Sequence, residues 1–153
     1  MIHIHKDFKE FLQLLNANKV EYLIVGAYAV AYHARPRYTG DLDVFIRATE
    51  ENGECVAKTL RDFGFASLGI TGADFARPNH VVQLGYEPVR IDISSGITAV
   101  DFEEAWNEKC SGTLDGIPVY FLGKRHLIEN KSAVRRDKDI VDLENLRKMK
   151  DKK

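Results

Sequence analysis

Two aspartates one residue apart, Asp41 and Asp43, stand at the head of the apolar run Leu42-Asp43-Val44-Phe45-Ile46. In a strand, side chains at i and i+2 project to the same face, so both carboxylates would point into one space. Oxygen-only donors at that spacing suit a hard divalent cation, Mg²⁺ above all, and the phosphates it carries. A third aspartate, Asp92, is embedded in Val89-Arg90-Ile91-Asp92-Ile93, where apolar neighbours make an unpaired charge costly. With that second strand beside the first, three carboxylates converge and can hold two cations about 4 Å apart, a geometry that serves phosphoryl or nucleotidyl transfer.

The elements that must position these groups can be read from periodicity and caps. Asp7 is placed to cap a helix with Phe8, Phe11, Leu12 and Leu15 on one face, ending near residues 16–19. Residues 22–25 read as a short buried strand, Gly26 as a tight turn, and the Ala-rich residues 27–33 as a short helix packed beneath the sheet. A loop with Pro36 and two arginines spans residues 34–40, followed by the strand at 42–46. Thr49 with Glu50, Glu51 and Glu54 reads as the N-cap and acidic first turn of a helix running to about residue 63, where Gly64 stops it.

Residues 69–78 read as irregular, 81–84 and 89–93 as a hairpin, and Thr98 or Asp101 as the start of a helix through Trp106. A strand at 117–121 precedes a helix over 124–131 and another over 137–149, whose buried stripe would be Ile140, Leu143 and Leu146. The last residues, 150–153, are expected to fray. Strands interleaved with helices, with one antiparallel hairpin among them, indicate an α/β (α+β) fold: a mixed sheet flanked by helices, closed by C-terminal helices.

The chain has 153 residues and 44% hydrophobic content, which fits one domain with a substantial core over residues 1–153. Its longest apolar run, residues 22–32, is shorter than the roughly 20 residues a bilayer span needs, and the N-terminus lacks the basic-then-apolar order of a signal peptide. A cytoplasmic protein without membrane partners is the expectation. Cys55 and Cys110 are far apart and form no Cys-x-x-Cys, which argues against a disulfide scaffold or structural zinc. His3 and His5 lack a third ligand nearby and read as an exposed N-terminal edge. Charge is lopsided: net −1 overall, but residues 124–153 hold 11 Lys and Arg against 6 acids, which suits a polyanionic partner.

The stretch Leu23-Ile-Val-Gly-Ala-Tyr-Ala-Val-Ala-Tyr-His-Ala-Arg-Pro-Arg-Tyr-Thr-Gly-Asp-Leu-Asp-Val44 resembles the strand, Gly-Gly or Gly-Ser turn, helix and Arg-x-Thr-x-Asp-x-Asp strand of the nucleotidyltransferase superfamily that includes DNA polymerase β. It is most similar to the small prokaryotic branch of AbiEii-like and minimal nucleotidyltransferases. That branch's later pattern, a basic residue and then Arg-x-Lys-Asp-x-x-Asp, is matched by Lys131 and by Arg136-Asp-Lys-Asp-Ile-Val-Asp142, so the resemblance covers roughly residues 7–147. Ala27 stands where the family turn has its second Gly or Ser, and Ala34 where a Gly is common after the helix.

The resemblance implies a nucleotidyltransferase-like fold with Asp41, Asp43 and Asp92 as ligands of two Mg²⁺ ions, Mn²⁺ being the alternative, and Asp92 nearest the attacking hydroxyl. It implies that Gly26 and Ala27 let the backbone approach the nucleotide phosphates. Arg37, Thr39 and Lys131 would line the triphosphate, with Arg136 and Lys138 as weaker contacts. Read as residues alone, Lys131 and Arg136 are of the kind that more often forms a solvated helix face. The expected activity moves a nucleoside monophosphate from an NTP to an acceptor hydroxyl. The basic tail favours RNA or a tRNA end. In this branch such enzymes often act as toxins paired with an antitoxin, and so short a chain would recruit its acceptor through a partner or a homodimer. A non-catalytic nucleotide- or protein-binding module on the same fold is the competing reading.

Overall fold

The computed structural model describes residues 3–35, 40–86 and 88–149. A six-stranded mixed sheet is built from β1 (Tyr22–Val25), β2 (Asp41–Ile46), β3 (Val81–Tyr86), β4 (Val89–Ser94), β5 (Cys110–Leu114) and β6 (Ile117–Phe121), in the order β3-β4-β2-β1-β6-β5. β2 runs parallel to β4 and antiparallel to β1, and β1 runs parallel to β6. Hairpins β3-β4 and β5-β6 form the two edges. Every residue of β1 is buried, the signature of a central strand covered on both faces.

Among the described residues seven α-helices flank the sheet: α1 (Lys6–Ala17), α2 (Gly26–His33), α3 (Glu50–Asp62), α4 (Gly72–Ala76), α5 (Phe102–Asn107), α6 (Lys124–Val134) and α7 (Asp137–Lys148). The apolar face of α1 forms as its spacing predicts, with Phe8, Phe11, Leu12 and Leu15 all buried. Thr49 caps α3 by accepting the Asn52 N–H, and Asp101 caps α5 by accepting the Glu104 N–H. The fold class expected from the sequence is therefore the one observed.

Three local expectations need correction, and one strand, β5, had no expectation attached to it. The cap of α1 is His5, whose Nδ1 accepts the Asp7 N–H at 3.0 Å; Asp7 lies inside the first turn, where its charge complements the helix dipole. The stretch read as irregular contains α4, a five-residue helix held by reciprocal capping between Thr71 and Asp74 and by burial of Phe75. β5 has too polar a sequence to announce itself, but it pairs with β6 across Asp115-Gly116, both at positive φ (49° and 83°), the turn chemistry of a tight hairpin. In α7 the buried face is Asp139, Asp142, Leu143 and Leu146, whereas Ile140 is 43% exposed. Leu143 and Leu146 are buried as expected, and Asp139 and Asp142 join them on that face because both pair with the buried ammonium of Lys131.

Candidate active site

Strand register assembles the carboxylates. Parallel pairing of β2 with β4 sets Asp43 opposite Asp92 and Asp41 opposite Arg90. On the other side of β2, Val25 pairs with Asp43, which delivers Gly26 to the same spot. Gly26 has φ +65°, and a Cβ there would lie 2.2 Å from Asp43 Oδ2. Only glycine meets both demands, so the turn opening α2 can abut the carboxylate.

These residues line a cleft of about 560 Å³ together with Ala27, Ser94, Asn130, Lys131, Arg136 and Lys138. Removal from water is the largest influence on Asp43; the neighbouring Asp92 and Asp41 charges and a hydrogen bond with Asp92 add to it, against the opposing pull of Lys138. Together they push the Asp43 carboxyl up to about 6. Arg90 offsets part of the excess negative charge: its Nη2 donates to Asp41 Oδ2 at 2.9 Å and its Nε donates to Asp92 Oδ1 at 3.0 Å. Among the described residues, no three His, Cys, Asp or Glu side chains are already gathered around one metal-sized position. The donor set nevertheless suits a hard divalent cation, being all oxygen and gathering three carboxylates at one cleft.

The structure thus brings Gly26, Ala27, Asp41, Asp43, Asp92, Lys131, Arg136 and Lys138 to one cleft. Arg37 and Thr39 lie outside the described residues. Lys131 is not on a solvated helix face: only 3% exposed, it places Nζ 3.1 Å from both Asp139 Oδ1 and Asp142 Oδ2. Arg136 is half exposed, and its Nε donates to Asp139 Oδ2 at 2.8 Å. Despite the burial of Asp139, which raises its carboxyl, the Arg136 side chain and backbone N–H together with Lys131 hold it down to about 2. Lys131 and Arg136 therefore belong to an ion-pair knot that fixes α7 against α6, and Lys138, in the first turn of α7, lines the cleft.

Arg90 was not among the residues singled out from the sequence. Its spacing carried the signal, since an Arg two residues before Asp92 on one strand must share its face. Cys55 and Cys110 are both free thiols and lie outside this cleft.

Over residues 4–153 the chain matches the family described as nucleotidyl transferase of unknown function (DUF2204), and it belongs to that family. No curated protein matches it. Among solved structures it shares its fold with the lincosamide antibiotic adenylyltransferase LnuA in lincomycin-bound form, at 15% identity and TM-score 0.60, over 98% of this chain and 100% of that one. It is also similar to an antigenic nucleotidyltransferase-like protein from Paracoccidioides brasiliensis, at 14% identity and TM-score 0.56, over 88% of this chain and 71% of that one. The mixed α/β architecture is that of nucleotidyltransferases. Among the described residues no helix is long and apolar enough to cross a membrane.

Proposed function

We propose that this protein transfers a nucleoside monophosphate from an NTP to an acceptor hydroxyl, with Mg²⁺ or Mn²⁺ held by Asp41, Asp43 and Asp92. The register that sets Asp43 opposite Asp92, with Gly26 against Asp43, is the observation that carries this reading. When bound, the cations would acidify the acceptor hydroxyl and neutralise the pyrophosphate leaving group. Asp92 would sit nearest that hydroxyl and take its proton as the new O–P bond forms and the bond from the α-phosphorus to the bridging oxygen breaks. Gly26 and Ala27 would offer backbone N–H groups to phosphate, and Arg136 and Lys138 would stabilise charge that grows on the leaving group. Lys131 serves this reading by anchoring α7, and Arg37 and Thr39 remain triphosphate contacts on the sequence resemblance alone.

For the acceptor we favour RNA, a tRNA end in particular, on the strength of the basic segment 124–153. The AbiEii-like resemblance adds a toxin role with a cognate antitoxin or a homodimer to complete acceptor binding. A small-molecule hydroxyl is the second reading, drawn from the fold shared with a lincosamide adenylyltransferase along nearly the whole chain.

The test is to incubate the protein with each α-labelled NTP, Mg²⁺ and either total RNA or a small-molecule extract, beside Asp43→Ala. Label moved by wild type but not by the variant supports transfer and identifies the acceptor class. No transfer with any NTP, together with no metal-dependent nucleotide binding, would replace the enzyme with a binding module.

A further inference from the structure

Arg90 has no part in the reaction proposed above, yet it bonds two of the three carboxylates. Its guanidinium spans two of the three: Nη2 donates to Asp41 Oδ2 at 2.9 Å and to Asp92 Oδ2 at 3.2 Å, while Nε donates to Asp92 Oδ1 at 3.0 Å. The fork is two-sided on Asp92, the geometry in which a guanidinium holds a carboxylate most firmly. All three side chains are largely withdrawn from solvent, at 28% exposure for Arg90, 26% for Asp41 and 17% for Asp92. Such a bridge is screened less than a surface ion pair, so it is worth more than one.

The bridge uses the same oxygens that a divalent cation would need. We infer that Arg90 is a built-in counter-cation, which holds Asp41 and Asp92 together while no metal is bound and must withdraw from them for a divalent cation to enter. A guanidinium and a dication cannot share these oxygens without bringing like charges into contact in a poorly hydrated cleft, so the two compete. The register makes the competition unavoidable. β2-β4 pairing sets Arg90 opposite Asp41, and Asp92 follows two residues later on the same face.

Withdrawal need not take Arg90 out of the cleft, whose wall it forms. A displaced guanidinium there meets whatever anion accompanies the metal, and a planar fork matches phosphate oxygens as well as it matches a carboxylate. Arg90 would then couple the two binding events: nucleotide phosphate compensates the guanidinium for the carboxylates it gives up, so metal binds better with nucleotide than without it. The inference rests on the metal-site reading of Asp41, Asp43 and Asp92, and the experiment separates failure of the one from failure of the other.

Mn²⁺ binding is followed by the loss of its free-ion paramagnetic resonance signal, with and without α,β-methylene-ATP, for wild type, Arg90→Met and Arg90→Lys, each also melted in EDTA. Arg90→Met should bind Mn²⁺ about tenfold tighter than wild type without nucleotide, with Arg90→Lys between them, because a lost charge-assisted fork no longer opposes the metal. It should also melt lower in EDTA and recover on adding Mn²⁺, and nucleotide should tighten Mn²⁺ binding less than in wild type. Equal or weaker Mn²⁺ binding by Arg90→Met would overturn the inference and leave Arg90 a brace between strands. Should that variant fail to fold, Arg90→Lys decides by the same comparison with wild type. If no protein binds Mn²⁺ with or without nucleotide, the metal-site reading itself falls and takes the inference with it.

Discussion

Asp139 is fully buried and Asp43 only half-buried, yet it is the less buried acid that is the worse accommodated: Asp43 is pushed up to about 6, and Asp139 is held down to about 2. Removal from water raises both carboxyls, and the difference lies in the charges each then faces. Between α6 and α7, the Lys131 ammonium sits between Asp139 and Asp142, and Arg136 adds its guanidinium and backbone N–H to Asp139. At the strand ends the Arg90 fork reaches Asp41 and Asp92, and Asp43 meets the repulsion of both against the opposing pull of Lys138. A balanced cluster of buried charge fixes structure, whereas a cluster with a surplus of one sign is arranged for a ligand of the other.

The sharpest way to break the comparison is to remove one acid from each cluster. Asp43→Ala should lower nucleotidyl transfer by at least about a thousandfold, since it deletes a proposed metal ligand and not merely a contact. Its melting temperature in EDTA should stay level or rise, because the repulsion goes with the carboxylate. Single-turnover transfer and a melt on the same sample check both halves.

Lys131→Met should do the reverse. It takes the buried ammonium away from Asp139 and Asp142, at a cost of about 3–5 kcal/mol of fold stability, read as a lowered urea midpoint. Any loss of transfer at temperatures where the variant remains folded should follow from a displaced α7, and nucleotide binding should weaken alongside it.

Gly26→Ala comes next in size. A left-handed backbone and a Cβ placed 2.2 Å from Asp43 Oδ2 should cost about 1–3 kcal/mol and shift the carboxylate, lowering both stability and Mn²⁺ affinity. An unchanged Mn²⁺ affinity would show that the turn does not set the position of Asp43.

The smallest effect is on the pH dependence of stability in EDTA. The folded value of Asp43, about 6, exceeds its ordinary 3.8, so its ionisation disfavours the fold; that burden develops as pH rises through this window and lifts as pH falls from 7 towards 4. Wild type should therefore gain on the order of 1 kcal/mol relative to Asp43→Asn between pH 7 and pH 5. Asp139 behaves oppositely: its stabilisation is present above the ordinary 3.8 and is lost as pH falls towards 2. Urea midpoints for both proteins across pH 3 to 8 resolve the two terms.

Much of the fold was legible because its signals are local. The apolar face of α1, the Thr49 and Asp101 caps, and the strand-turn-helix around Gly26 follow from spacing and side-chain chemistry within a few residues. α4 and β5 were hidden for different reasons. One is held by a Thr71/Asp74 capping pair in a segment whose glycines suggest a loop, and the other is a polar edge strand given away only by the Asp-Gly turn beside it. The face of α7 was legible only in part, because its buried stripe joins Leu143 and Leu146 to two aspartates whose partner is eight or more residues upstream on another helix.

The same division holds at the candidate site. Spacing within the sequence determined that Asp41 and Asp43 share a strand face, that Asp92 lies in an apolar strand, and that Gly26 opens a helix, because strand and turn geometry act over two or three residues. Tertiary structure alone decided that Asp43 lies opposite Asp92, that Arg90 bridges Asp41 and Asp92, and that Lys131 turns inward to Asp139 and Asp142. Register and charge pairing join residues far apart in the chain, and a carboxylate's neighbours exist only after the strands and helices that carry them have met.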